Sequence, residues 1–119
     1  MSLDVAGRSA MQIAALLQSG TWDAVAVAEA TLSAIASCED KAIFVAVTPE
    51  RAMAEAQAAS KRLRAGRPRG LLDGVPIAWK DLFDLEGMVT TAGSRVLGAD
   101  PAAVRDAAVV ARLQAAGMV

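Results

Sequence analysis

No histidine occurs in this sequence, and its absence removes Ser-His-Asp and Cys-His catalysis, histidine-containing metal sites and a histidine general base from the segment. Tyrosine is also missing, and two phenylalanines and two tryptophans are the only aromatic residues. Since 55% of the residues are hydrophobic, the apolar mass is mainly alanine, valine and leucine, which favours closely packed helices over an aromatic-rich sandwich. The single cysteine, Cys38, cannot form an internal disulfide, which suits a reducing compartment. Flanked by Glu39 and Asp40, it lies in an acidic neighbourhood that argues against a nucleophilic thiolate. No apolar run reaches the roughly 18–20 residues that span a bilayer, and the N-terminus lacks the basic-then-apolar order of a signal peptide. A cytoplasmic protein with no membrane contact is therefore the expectation.

Charge excludes a further class. Twelve basic against thirteen acidic residues leave a formal charge of −1, and only residues 61–69 concentrate basic side chains, far short of the broad basic face of a nucleic-acid binder. Arg62, Arg64, Arg67 and Arg69 read as a solvated helix end, where cations complement the helix dipole. Neither a metal-ligand cluster nor a phosphate-cradling glycine loop is visible, so no cofactor and no metal are expected.

The 119 residues are one domain's worth of chain, able to bury roughly two-thirds of the unfolded surface. Ser9-Ala10-Met11-Gln12 fits a capping box and opens a helix carrying Ile13, Leu16 and Leu17 that ends at Gly20. Thr21 then caps a second helix with Asp23 in its first turn and Val25, Ala28, Leu32 and Ile35 facing a core. The run 42–47 reads as a brief strand. Thr48 caps a third helix with Pro49 at its first position and Met53, Ala56, Ala59 or Ser60, and Leu63 inward, ending near Gly66. Four punctuating residues, Gly66, Pro68, Gly70 and Gly74, make a loop. A strand candidate over 75–79 delivers Lys80 at its carboxyl end, with Pro76 at a position that need not donate to a ladder. Residues 87–100 are irregular with one helical turn near Arg95 to Leu97. A last helix from Arg105 or Asp106 carries Val109, Val110, Leu113 and Ala116 and stops at Gly117. The regions are thus a helical part, 1–66, and a strand, loop and helix part, 67–119. A helix followed by glycine and two apolar residues is how an α/β unit re-enters its sheet, so the chain reads as an N-terminal portion of a longer protein.

The chemistry concentrates in Gly74-Val75-Pro76-Ile77-Ala78-Trp79-Lys80-Asp81, followed by Gly87 and Thr90-Thr91-Ala92-Gly93-Ser94, then Asp106-Ala107-Ala108-Val109-Val110 and Leu113-x-x-Ala116-Gly117. This order resembles the amidase signature family, and the resemblance covers nearly the whole chain. It implies the N-terminal, helix-rich part of a three-layer α/β/α fold with a mixed sheet, incomplete in this chain. It further implies amide hydrolysis of a small-molecule carboxamide through an acyl-enzyme, by a serine nucleophile, a second serine in a cis peptide and a lysine base. Lys80 matches that lysine. The two serines belong to a Gly/Ser-rich segment downstream in the family, so the 119 residues alone are expected to be inactive. Trp79 stands where the family usually carries a smaller aliphatic residue.

An ordinary lysine titrates at about 10.4, and a base role near neutral pH asks for surroundings that destabilise the ammonium by roughly 4 kcal/mol. Burial beside hydroxyls can do this. On spacing alone, Lys80 reads as a charged residue at a strand end, paired with Asp81 or Asp84. Asp81 reads as a loop-fixing hydrogen-bond acceptor and not as a proton carrier. For Ser94 two readings stand, a Ser-Lys dyad with Lys80 and a cap that starts a short helix. Three functions follow from the resemblance and the pattern: a free-standing amidase, the amidase subunit of a tRNA-dependent amidotransferase, and a non-catalytic helical interaction module or half of a split enzyme. The protein partner is then a second copy of the chain or the remainder of the amidase fold.

Overall fold

Ser9 opens the first helix as the capping box requires. Its hydroxyl accepts the amide of Gln12 (3.2 Å), and the Gln12 side chain accepts the amide of Ser9 (2.8 Å). The computed structural model describes residues 3–119, among which the helices are α1 (Ala10–Gln18), α2 (Ala24–Ser37), α3 (Pro49–Arg64) and α4 (Ala108–Ala115), with one 3-10 turn at Leu97–Ala99. The chain divides into a first unit, which runs to Ile77 and takes in Ala116–Val119, and a second unit, Ala78–Ala115.

In the first unit α2 packs on α3, and the shared core is built from small residues: Ala24, Val27 and Ala28 of α2 with Ala56, Ala59 and Ser60 of α3. Alanine at the contact lets two helix backbones approach closely, which is how an aromatic-poor chain makes a dense interior. Ile13, Ala14 and Leu17 of α1, Val75 and Met118 complete the buried apolar set of this unit. The α2 stripe is rotated from the expected one: Val25, Leu32 and Ile35 are only half-buried, and Ala24 and Val27 are buried in their place.

The cap of α2 is also corrected. Asp23, not Thr21, is the N-cap residue and accepts the Val25 amide at 2.9 Å. Its second oxygen accepts the Ser60 hydroxyl at 2.6 Å and an Arg64 guanidinium N–H at 2.8 Å. One carboxylate thus caps α2 and ties it to the end of α3. Thr48 precedes α3 without a side-chain cap bond, while Pro49 takes the first helical position.

No strand is formed among the described residues. The run 42–47 is turn and bend, with Ile43, Val45 and Val47 exposed, because a short extended segment with no neighbour to pair has no ladder to hold it. Residues 74–77 keep part of what the sequence suggests. The Gly74 amide donates to Gly117 O (2.8 Å), Val119 N to Val75 O (3.0 Å) and Ile77 N to Val119 O (2.8 Å). Both segments run the same way, with the alternation of a parallel register.

Arg62 and Arg64 are ion-paired, which corrects the reading of a merely solvated helix end. Arg62 grips the fully buried Asp73 with two N–H groups, at 2.9 and 2.6 Å, and Asp73 also accepts the Arg69 amide at 2.7 Å. Burial raises the Asp73 pKa, but the bonds from Arg62 and Arg69 outweigh it and hold the carboxyl below its ordinary range. Gly117 has φ 96, and a Cβ there would fall 2.5 Å from Asp73 Cγ, so only glycine fits beside this carboxylate.

Candidate active site

Lys80 lies at the start of the second unit on a turn that its own carbonyl closes, accepting the amides of Leu82 (2.7 Å) and Phe83 (3.2 Å). The rings of Trp79 and Phe83 meet edge to face across this turn, with centroids 5.9 Å apart and planes at 73°. Such a pair contributes about 0.5–1.5 kcal/mol beyond its area. The unusual Trp79 thus finds a partner four residues on. The Lys80 side chain is exposed.

The carboxylates next to Lys80 are engaged elsewhere. Asp81 accepts the Thr91 amide at 3.0 Å on Oδ1 and the Thr91 hydroxyl on Oδ2, while its main-chain carbonyl accepts the Ala92 amide at 2.9 Å. These bonds from Thr91 hold the Asp81 carboxyl below its ordinary range. Asp84 accepts the Thr90 hydroxyl at 2.6 Å on Oδ1 and the Ala107 amide at 2.9 Å on its carbonyl. Two adjacent threonines therefore clasp two aspartates three positions apart. Neither aspartate pairs with Lys80, whose ammonium has no hydrogen bond or ion pair to the described residues. The expected pairing with Asp81 or Asp84 is corrected accordingly: hydroxyl and amide donors at fixed positions compete better for a carboxylate than a flexible ammonium in water.

Past the threonines the backbone turns sharply. Ala92 has φ 49 and Gly93 φ 75, a left-handed pair of conformations in which alanine is strained. The Gly93 amide donates to Thr91 Oγ1 at 3.2 Å, so the Thr91 hydroxyl accepts from one side and donates to Asp81 on the other. Ser94 donates its amide to Thr91 O (2.7 Å), and its hydroxyl oxygen accepts the amides of Val96 (3.2 Å) and Leu97 (3.4 Å), capping the start of the 3-10 turn. Further along, Gly87 N donates to Ala103 O and Ala103 N to Met88 O, each at 2.8 Å, and the Glu86 amide donates to Asp106 Oδ1 at 2.8 Å. In α4 Val110 is buried, whereas Val109, expected inward, is 39% exposed.

The motif singles out Lys80, and the structure shows Asp81 as a hydrogen-bond acceptor within its loop. The acceptors that Thr90 and Thr91 meet are not evident in the sequence, although threonines ten and six residues after two aspartates are the available signal. Among the described residues no group of three or more His, Cys, Asp or Glu is placed to hold a metal ion, and no helix is long and apolar enough to cross a membrane.

A family model described as Amidase matches residues 26–119. The chain is 40% identical over 117 residues to a glutamyl-tRNA(Gln) amidotransferase subunit from Salinispora tropica, the match covering 98% of this chain and 24% of that protein. It is 50% identical over 93 residues to the corresponding subunit from Anaeromyxobacter sp., covering 76% of this chain and 18% of the relative. Among solved structures, peptide amidase from Stenotrophomonas maltophilia superposes with a TM-score of 0.83 at 30% identity, over 98% of this chain and 24% of that one. A structure described as a vestigial protein complex revealing the origins of an s-triazine catabolic enzyme does so with a TM-score of 0.87 at 40% identity, over 94% and 25%. The chain thus spans about a quarter or less of the length of these relatives. A motif built around Lys80, a family model over most of the sequence and these likenesses agree, and the chain belongs to the amidase signature family.

Proposed function

We propose that this segment contributes the lysine of a Ser–cis-Ser–Lys amide hydrolase, within a polypeptide whose remaining part provides both serines and completes the α/β/α fold. The observation that carries the reading is Lys80 itself, held at the end of the Gly-Val-Pro run on a hydrogen-bonded turn, with an amine that no neighbouring carboxylate occupies. An ammonium paired with Asp81 would be stabilised as the cation and spoiled as a base. An unpaired one becomes a base once hydroxyl-bearing polypeptide excludes water around it.

In the reaction, the neutral amine accepts a proton passed from the nucleophilic serine through the second serine. The serine oxygen attacks the carboxamide carbon, and the tetrahedral adduct collapses by breaking the C–N bond while the proton returns to the departing nitrogen. Water then hydrolyses the ester and regenerates the serine. Lys80 holds or releases the proton at each stage, and the substrate is a small-molecule carboxamide.

The names of the relatives favour a second reading in the same chemistry, an amidase subunit of a tRNA-dependent amidotransferase that moves ammonia in company with other subunits. The test is made in a polypeptide containing this segment and the remainder of the fold. Lys80→Ala is expected to abolish amide hydrolysis, and an undiminished rate in that variant overturns the reading. Copurification of partner subunits separates the amidotransferase from the free-standing amidase. Turnover by the 119-residue chain alone, lost in Lys80→Ala, would instead revive a dyad of Ser94 with Lys80.

A further inference from the structure

The turn that carries Lys80 is gripped at one atom after another. The Lys80 carbonyl accepts two amides, the next residue, Asp81, is bound at both carboxylate oxygens and at its carbonyl, and Asp84 is bound at its carboxylate and its carbonyl. All the bonds to Asp81 come from Thr91 and Ala92, and the carboxylate bond to Asp84 comes from Thr90.

The Thr91 hydroxyl, reaching across ten residues, meets the Asp81 carboxylate and not Lys80, and Asp81 makes no hydrogen bond or ion pair to the lysine. What it does fix is position. Lysine has four rotatable side-chain bonds, so an amine at its tip is placed only as well as the Cα beneath it, and a displacement of about 1 Å in a reacting group can lower a rate by about 100-fold. Apart from the Trp79–Phe83 ring contact the turn packs loosely, with Leu82 55% and Phe83 40% exposed. The Thr91 hydroxyl is itself oriented, since the Gly93 amide donates to its oxygen and directs its proton toward Asp81. The left-handed conformation of Ala92 turns the Gly93 amide back onto the Thr91 hydroxyl, and strain of this kind persists only where surrounding bonds over-determine it.

We infer that Thr91 is a positioning residue for Lys80, acting through Asp81, and that the paired clasps Thr91–Asp81 and Thr90–Asp84 set the reach of the lysine amine toward the nucleophile. The inference rests on the reading of Lys80 as the base. Asp81 is on this account a bracket, with no share in proton transfer.

The experiment uses the polypeptide with the complete fold and a simple carboxamide substrate. Thr91→Val keeps the shape and the main-chain bonds but removes the hydroxyl, and kcat is expected to fall about 10- to 100-fold with KM within about twofold and the thermal midpoint within a few degrees. Thr91→Ser restores the hydroxyl and is expected to recover most of kcat. A merely structural role would lower the thermal midpoint and the active fraction without separating kcat from KM. Should Thr91→Val fail to fold, Asp81→Asn decides, with the same selective loss of kcat expected. Wild-type kcat in the folded variant, alongside a dead Lys80→Ala, overturns the inference and leaves the reading of Lys80 standing. Activity retained in Lys80→Ala overturns that reading and the inference with it.

Discussion

Thr91 binds Asp81 twice, by its amide and by its hydroxyl, one to each carboxylate oxygen. The charge beside Lys80 is thereby taken up by neutral donors ten residues away in sequence. A carboxylate held in this way keeps its place without a cation, so the lysine next to it stays unpaired.

The left-handed backbone at Ala92 (φ 49) predicts a sharp dependence on side-chain branching. Ala92→Val puts a β-branched residue where φ is positive, a genuine steric outlier, and is expected to destabilise the 90–94 turn by more than about 1 kcal/mol. Ala92→Gly relieves the strain but frees the unfolded chain, and the two effects roughly cancel. Urea unfolding monitored by tryptophan fluorescence reports both, since Trp79 sits on the Lys80 turn to which Thr91 and Ala92 bind through Asp81. Equal midpoints for the valine and glycine variants would contradict this account.

Gly117 predicts a second loss, for two reasons that add. An alanine there must adopt φ 96 and must also displace the Asp73 carboxylate, which is fully buried and held by Arg62 and the Arg69 amide. Gly117→Ala is expected to destabilise the protein by well over about 1 kcal/mol, read as a drop in thermal midpoint. An unchanged midpoint would show that Asp73 can move.

Acid provides the third test. Burial raises the pKa of both Asp23 and Asp73, but hydrogen bonds outweigh it: from Ser60, the Val25 amide and Arg64 for Asp23, and from Arg62 and Arg69 for Asp73. Both groups therefore titrate below the ordinary 3.8 when folded. A group depressed on folding adds stability that is present above its unfolded pKa and lost as pH falls through the folded one. The urea midpoint is expected to be flat from about pH 7 to 5 and to fall below about pH 4. Arg62→Met leaves Asp73 buried without its cation, so it is expected to cost about 3 kcal/mol at neutral pH and to shrink the acid-induced loss. An Arg62→Met protein with the wild-type acid limb would argue against the pair.

The helices were readable because their signals are local. Ser9 with Gln12, Pro49 with Glu50 and the charges of Lys61, Arg62 and Arg64 all act within one or two turns. Asp23 and Thr21 both carry N-cap chemistry in the sequence, and the Val25 amide bond shows that Asp23 fills the position while its second oxygen reaches distant Ser60 and Arg64. Run 42–47 has strand composition but no partner among the described residues, and composition alone does not make a ladder. At the candidate site the motif singles out Lys80, and Asp81 reads as a loop-fixing acceptor, which its bonds from Thr91 and Ala92 fit. Thr90 and Thr91 escaped because threonine is ordinary in a loop, and only folding reveals which acceptor it meets.

Residues 74–77 of the first unit bond to residues 117–119, which leave the ribosome about forty residues later, a delay of roughly 2–8 s at typical translation speeds. During that interval the Gly74 amide and the Val75 carbonyl remain without these partners. Nascent chains halted before Gly117 thus lack the backbone bonds that close residues 74–77 of the first unit.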